Sequence, residues 1–177
     1  MRLLEFRGMF FATGVVEIVK TTAKEFVEEV FAGFKNVQLV KPEIVMDWDV
    51  FDAAIVTAML AFGSQKQKAK TLANEVLLRL AATTQIDDAI AKAGLPPNSR
   101  EALYVVVADN PEDAVAMARK IVEAAGGVER GLDENPDIEK IVEAYGIERE
   151  QLAAVQAKTE KEAVKLLIIQ KMSATMI

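Results

Sequence analysis

Six acidic residues stand close together in three short stretches: Asp47 and Asp49, Asp87 and Asp88, and Asp133 and Glu134. Paired carboxylates can hold a hard cation or divide acid and base roles between them. Asp47, Asp49, Asp87 and Asp88 fall at predicted helix starts, where a carboxylate caps free amides and offsets the helix dipole. That structural reading outweighs a catalytic one. The chain has no histidine and no cysteine. A histidine base, a thiol nucleophile, a disulfide and any Cys- or His-ligated metal are therefore excluded. No GxxxxGK[ST] phosphate loop occurs, and "GMFFATG" lacks the lysine and the following helix that such a loop needs. There is no G-x-S-x-G elbow either. The expectation is a protein without catalytic residues, metal or cofactor.

The basic residues are more informative. The chain carries a net charge of −6. Residues 101–150 hold thirteen acids and five bases, a net of −8, so the remainder sums to +2. Residues 64–80 hold Lys66, Lys68, Lys70 and Arg79 against the single acid Glu75. A local basic spot on an acidic body suits a specific anion contact better than general adhesion to nucleic acid. Lys68 and Lys70 lie just before a predicted helix start, where cations are unfavourable by a few tenths of a kcal/mol. An anion docking there, on exposed amides and two ammonium groups, would offset that cost. The opposing reading is a solvated loop, with Glu75 and Arg79 an ordinary surface i, i+4 pair worth about 0.3 kcal/mol.

The elements that position these residues follow from pattern. Residues 2–8 and 14–20 read as strands about a turn at Thr13-Gly14. Thr22 with Glu25 is a capping box for a helix to about Lys35. Residues 37–40 and 43–46 are short strand candidates around Pro42. Asp47 or Asp49 caps a helix to about Phe62, ended by Gly63. A helix from about Leu72 to Ala82 places Val76, Leu77, Leu80 and Ala81 on one face. Thr84 caps a short helix whose inner face is Ile86, Ala89, Ile90 and Ala93. Residues 102–108, "ALYVVVA", form a continuous apolar run that predicts a central strand. Asn110-Pro111 starts a helix that runs to Gly126-Gly127. Helices follow over 137–146 and from Thr159 nearly to Ile177. Residues 128–136 carry the least pattern. The fold class expected is α+β, one domain over residues 1–177, a small mixed or antiparallel sheet with a majority of helices and a long C-terminal helix. The longest apolar run, residues 53–62, is too short for a membrane span. Glu5 interrupts the apolar start, which argues against a signal peptide. Absence of cysteine fits a reducing cytoplasm and is compatible with an archaeal thermophile.

"KTLANEVLLRLAATTQIDDAIAKAGL" (70–95) resembles the signature stretch of the small, non-catalytic kinase-binding subunit of the KEOPS tRNA-modification complex, the Cgi/TPRKB family. "KPEIVMDWDVFDAAIVTAMLAF" is similar to that family's strand, turn and first long helix, and "LLIIQKMSATMI" to its C-terminal helix. The matching stretches occur in the family's order. The resemblance implies an adaptor in threonylcarbamoyladenosine modification of tRNA. Its partners would be the complex's kinase-like ATPase subunit, through the N-lobe, and the unpaired 3′ end of tRNA, with no membrane and no small-molecule substrate. The RNA-facing residues so implied are Lys66, Lys68, Lys70, Thr71, Asn74, Arg79, Gln85 and Ile86. The cations would meet phosphates, and Asn74 or Gln85 a base or ribose. No aromatic residue occurs in 63–103, so a terminal base would need aliphatic contacts. The last helix is apolar on more than one face, which a shared surface explains as well as deep burial does. On the shared-surface reading, Val164, Leu167, Ile168, Met172 and Met176 form the kinase interface. The alternative from another class is a small-molecule-binding regulatory domain.

Overall fold

Arg7 and Gly8 both have positive φ, 52° and 78°. That is the backbone of a two-residue hairpin turn, and it sets the register of the two strands that it joins. It joins β1 (Arg2–Phe6) to β2 (Met9–Glu17), with Phe6 opposite Met9 and Arg2 opposite Thr13. The turn therefore lies six residues before the Thr13-Gly14 turn expected from the sequence. Gly14 stands inside β2, opposite Tyr104. A computed structural model describes residues 1–177. It contains eight helices and a five-stranded antiparallel sheet, an α+β fold. The backbone groups into two compact units. The first comprises Met1–Pro42, Ala69–Asn74 and Gly94–Leu132. The second comprises Glu43–Lys68, Glu75–Ala93 and Asp133–Ile177.

The first unit is built on strand order β1-β2-β4-β3, with β3 at Val37–Val40 and β4 at Glu101–Ala108. β5 (Val128–Arg130) pairs with β2 beyond the end of β1 and falls in the stretch with least sequence pattern. β4 is central, as its continuous apolar run predicted, and both of its faces are buried. Helices α1 (Ala23–Gly33) and α5 (Pro111–Ala125) bury Phe26, Val30, Ala118 and Ile121 with Val16, Leu39, Tyr104 and Val106. The capping box at Thr22 is present, and Asn110 accepts the Asp113 amide at 2.8 Å to start α5. Tyr104 lies across Gly14, and its hydroxyl stands 3.4 Å from the Glu129 carboxylate. Burial, then the Glu129 charge, pushes the phenol well above its ordinary range.

The second unit is helical. Its helices are α2 (Trp48–Ala61), α4 (Ile86–Ala93), α6 (Ile138–Tyr145), α7 (Arg149–Ala154) and α8 (Glu160–Ala174). It also holds most of α3 (Leu72–Leu80). α8 packs on α2, α6 and α7. Residues 43–46 are not the expected strand. Pro42 opens a 3₁₀ turn there, Pro42–Ile44, because proline lacks the N–H that a ladder needs. Asp47 caps α2 by accepting the Val50 amide at 2.9 Å, and Lys165 of α8 lies 3.0 Å from Asp47 and also pairs with Asp49. The Tyr145 hydroxyl, fully enclosed, donates to the Leu80 carbonyl at 2.7 Å. The Lys92 ammonium sits over the Tyr145 ring, 4.3 Å from its centre.

Two outcomes test this packing. A Cβ at Gly14 would lie 2.6 Å from the Tyr104 hydroxyl oxygen and 2.9 Å from its ring. Tyr104 is fully buried within the core that α1 and α5 make with the sheet. Gly14→Ala should cost about 2–3 kcal/mol in urea denaturation. Gly33→Ala, which meets nothing within 4 Å, should be neutral or slightly stabilising. The second concerns Lys92. Burial, then neighbouring Lys171, lowers its ammonium from 10.5 to about 8. Between those two values the unfolded chain holds a proton that the folded one has lost, so stability rises with pH. Thermal unfolding from about pH 7 to about pH 10 should show the native chain gaining stability relative to Lys92→Met. A constant difference between the two would refute it.

Candidate functional site

The basic stretch forms the loop between α2 and α3. Gly63, at φ 75°, turns the chain out of α2, and its amide donates to the Gln67 side chain at 2.7 Å. The Ser64 hydroxyl donates to the Ala61 carbonyl at 2.5 Å and accepts the Lys66 amide at 3.1 Å. The loop is thus knitted by its own polar groups, and the Lys66 and Lys68 side chains are left exposed.

Arg79 does not join them. Its side chain is 0% exposed, as is that of Glu75. Its Nε donates to Glu75 Oε1 at 3.0 Å, and Nη1 donates to the Thr175 carbonyl at 2.9 Å and to the Thr175 hydroxyl oxygen at 2.7 Å. Nη2 donates to the Lys66 carbonyl at 3.1 Å and again to Glu75. A guanidinium has five N–H donors. All five are taken, so the phosphate contact expected of Arg79 is ruled out. The sequence pattern misses this because an i, i+4 acid–base pair looks the same on a solvated helix as on a buried one. α3 is buried on nearly every side, with only Asn74 of its residues half-buried. Glu75 also accepts the Lys68 amide on Oε2, at 3.0 Å.

At the start of α3, in the first unit, two of the amides expected to cradle an anion are occupied. Thr71 Oγ1 accepts the Asn74 amide at 3.2 Å, and Asn36 Oδ1 accepts the Ala73 amide at 2.9 Å. Asn74 in turn accepts from the buried Gln38 side chain at 2.8 Å. Thr71 thus caps α3 and Asn74 anchors it to β3, and both residues are half-buried. Lys70 remains exposed. What survives of the site is exposed charge without an amide pocket.

Gln85 and Ile86, at the start of α4, are exposed as the RNA reading requires. The α4 face differs from expectation. Ala89 and Ala93 are buried, but Ile86 and Ile90 are 40% and 54% exposed, one helical turn apart. They form an aliphatic strip that sequence pattern alone turns inward, because isoleucines flanking small alanines mimic a buried stripe. The cap also shifts: Thr83, not Thr84, holds the preceding turn by accepting the Gln85 amide. No hydrogen bond joins Gln85 to the lysine loop.

The C-terminal helix requires a further correction. Val164, Ile168 and Met172 are fully buried, Leu167 nearly so, and Met176 is half-buried. Val164, Leu167, Ile168 and Met172 belong to the core of α8, which packs on α2, α6 and α7, so these four are closed to a partner, while Met176, past the end of the helix, stays half-open. The exposed apolar residues on the same pair of packed helices are Leu166 of α8 and Val56 and Leu60 of α2. Among the acidic pairs, Asp47 and Asp49 are engaged by Lys165, Asp133 accepts the Asn135 amide, and no group of three carboxylates converges. No helix is long and apolar enough to cross a membrane.

The family model described as kinase binding protein CGI-121 matches residues 17–175, nearly the whole chain. The chain belongs to that family, as its resemblance to the kinase-binding subunit implied. No curated protein matches the chain.

The buried pair makes a sharp stability prediction. Arg79→Met strands the Glu75 carboxylate without its counter-ion and should cost about 3–5 kcal/mol in urea denaturation. Adding Glu75→Met removes the stranded charge and should restore part of that loss. A single variant losing under about 1 kcal/mol would mean that the pair is solvated.

Proposed function

We propose that this member of the kinase binding protein CGI-121 family is a non-catalytic adaptor of the KEOPS complex, acting in the cytoplasm in threonylcarbamoyladenosine modification of tRNA. In this reading it binds the complex's kinase-like ATPase subunit and recruits tRNA by its unpaired 3′ end. The observation that carries the reading is the family match over residues 17–175.

Two surfaces are consistent with it. Leu60 and Leu166 are 42% and 45% exposed on the packed helices α2 and α8, with Val56 one turn before Leu60. Solvent-facing leucines on two helices that pack together suit a protein partner, and the reading assigns the kinase N-lobe to them. Lys66, Lys68 and Lys70 are exposed on one loop of an acidic chain, and single-stranded ends are gripped by backbone cations beside apolar platforms. Ile86 and Ile90, exposed on α4, are the aliphatic surface that this reading assigns to a terminal base. The groove between α1 and α5, about 360 Å³, is lined in part by the charged side chains of Lys20, Lys120, Glu29 and Glu123.

Two measurements test the surfaces. Leu60→Asp with Leu166→Asp should weaken kinase binding by about tenfold or more, because both charges would enter the interface unpaired. Phe31→Asp, on the exposed side of α1, should leave binding unchanged. Kinase affinity insensitive to the paired substitutions would discard this docking surface. For RNA, binding of tRNA with and without its unpaired 3′ end is compared across a salt series. The intact RNA should bind more tightly. Reversing Lys66, Lys68 and Lys70 to Glu should flatten the salt slope by about 0.7 for each phosphate that is no longer neutralised. Equal affinity for the two RNAs would sink the recruitment reading.

A further inference from the structure

We propose that Arg79 is a positioning residue that ties the end of the C-terminal helix to the lysine loop. One guanidinium holds the Lys66 carbonyl and both oxygens of Thr175, so the last turn of α8 sets how Lys66 and Lys68 are presented. The geometry is specific to the two lysines. Lys66 gives its carbonyl to Arg79 Nη2 at 3.1 Å, and Lys68 gives its amide to Glu75 Oε2 at 3.0 Å. Each lysine thus has one backbone group fastened to the buried pair, while its ammonium points to solvent. On the other side, Nη1 grips the Thr175 carbonyl and hydroxyl oxygens at 2.9 and 2.7 Å. Thr175 is itself fastened to the helix, its hydroxyl donating to the Met172 carbonyl at 2.6 Å.

A guanidinium is planar and its N–H groups are fixed in one fork, so it cannot swing to follow one partner without releasing another. With all five donors occupied, displacement at Thr175 is transmitted to the loop or breaks a bond in a buried site, where an unmade bond is costly. A loop held this way is also preorganised, so its cations lose less freedom when an anion binds. Any ligand that fixes the end of α8 should therefore strengthen anion binding at the loop, and the reverse, by the same factor. The link from Thr175 to the loop stands on these hydrogen bonds alone. Its consequence for RNA rests on the recruitment reading above.

The test uses the chain ending at Ala174 and the milder Thr175→Val, each checked by circular dichroism. Native-state hydrogen exchange is followed at the Lys68 amide, which donates to Glu75, and at the Val50 amide, which caps α2. Exchange at Lys68 should accelerate by about tenfold in the shortened chain and less in Thr175→Val, while Val50 is unchanged. RNA with an unpaired 3′ end should bind the shortened chain about fivefold more weakly at low salt. Unchanged Lys68 exchange in either folded variant overturns the linkage. Accelerated exchange with unchanged RNA affinity, while Lys66→Glu and Lys68→Glu still weaken binding, overturns the coupling and leaves recruitment standing. If those reversals also have no effect, recruitment fails and the RNA half of the proposal falls with it.

Discussion

The second unit depends on a charge pair that is expensive to bury. Glu75 and Arg79 are both fully shielded from water. Desolvating two such ions costs several kcal/mol each unless the geometry is good and every remaining donor and acceptor is met. The rest of the unit meets that demand. The loop after α2 folds back to bring the Lys66 carbonyl and the Lys68 amide to the pair. α8 extends to Thr175 to supply two more acceptors. Neither feature follows from hydrophobic packing, because Lys66, Lys68 and Thr175 bring no apolar face. They are where they are because a buried guanidinium must be satisfied on all five hydrogens. An apolar pair at 75 and 79 would relieve the desolvation cost but leave both segments unfastened.

The first unit answers to a different constraint. β4 is buried on both faces and pairs with β2 and β3, so a slip of one residue would turn a whole set of side chains to the wrong side. The Arg7-Gly8 turn fixes the register of β1 on β2, and the Gly14–Tyr104 pair that of β2 on β4. A tyrosine ring laid over a cross-strand glycine covers backbone that would otherwise stay open, and no other residue at 14 leaves space for the ring.

Capping is the most legible feature of the sequence. Thr22, Asp47, Asn110 and Thr159 each accept an amide of the helix they were expected to open. This chemistry is local and needs only three or four neighbouring residues. The central position of β4 is legible because a strand buried on both faces has no room for alternation. The misreadings share a different cause. Gly14 reads as a turn because glycine's freedom is visible in sequence, whereas the tyrosine ninety residues away that requires a glycine is not. Arg79 reads as a surface cation because spacing reports which residues are neighbours on a helix and not what covers them. The inward and outward isoleucines and leucines of α4 and α8 are chemically alike, and only tertiary packing separates Leu167 from Leu166. The fold class is therefore readable, while the candidate site is legible only in its exposed cations and in Gln85 and Ile86.

The corrected site alters what kind of recognition is feasible. A phosphate pocket at a helix start requires free amides that point at the ligand. Here the Ala73 and Asn74 amides are already bonded, and the buried Arg79 has all its donors taken. The remaining groups are three ammonium ions on flexible stems, fixed at the backbone of Lys66 and Lys68 but free at their tips. Such groups read charge density and not oxygen geometry, so they suit a phosphate chain that can slide and settle more than a single anion held at fixed distances. The aliphatic strip of Ile86 and Ile90 has the same character, because it offers a flat apolar surface with no hydrogen-bond code. On the recruitment reading proposed above, both features suit a ligand recognised as an end of single strand and not by its sequence. The acidity concentrated in residues 101–150 disfavours phosphates on that part of the chain.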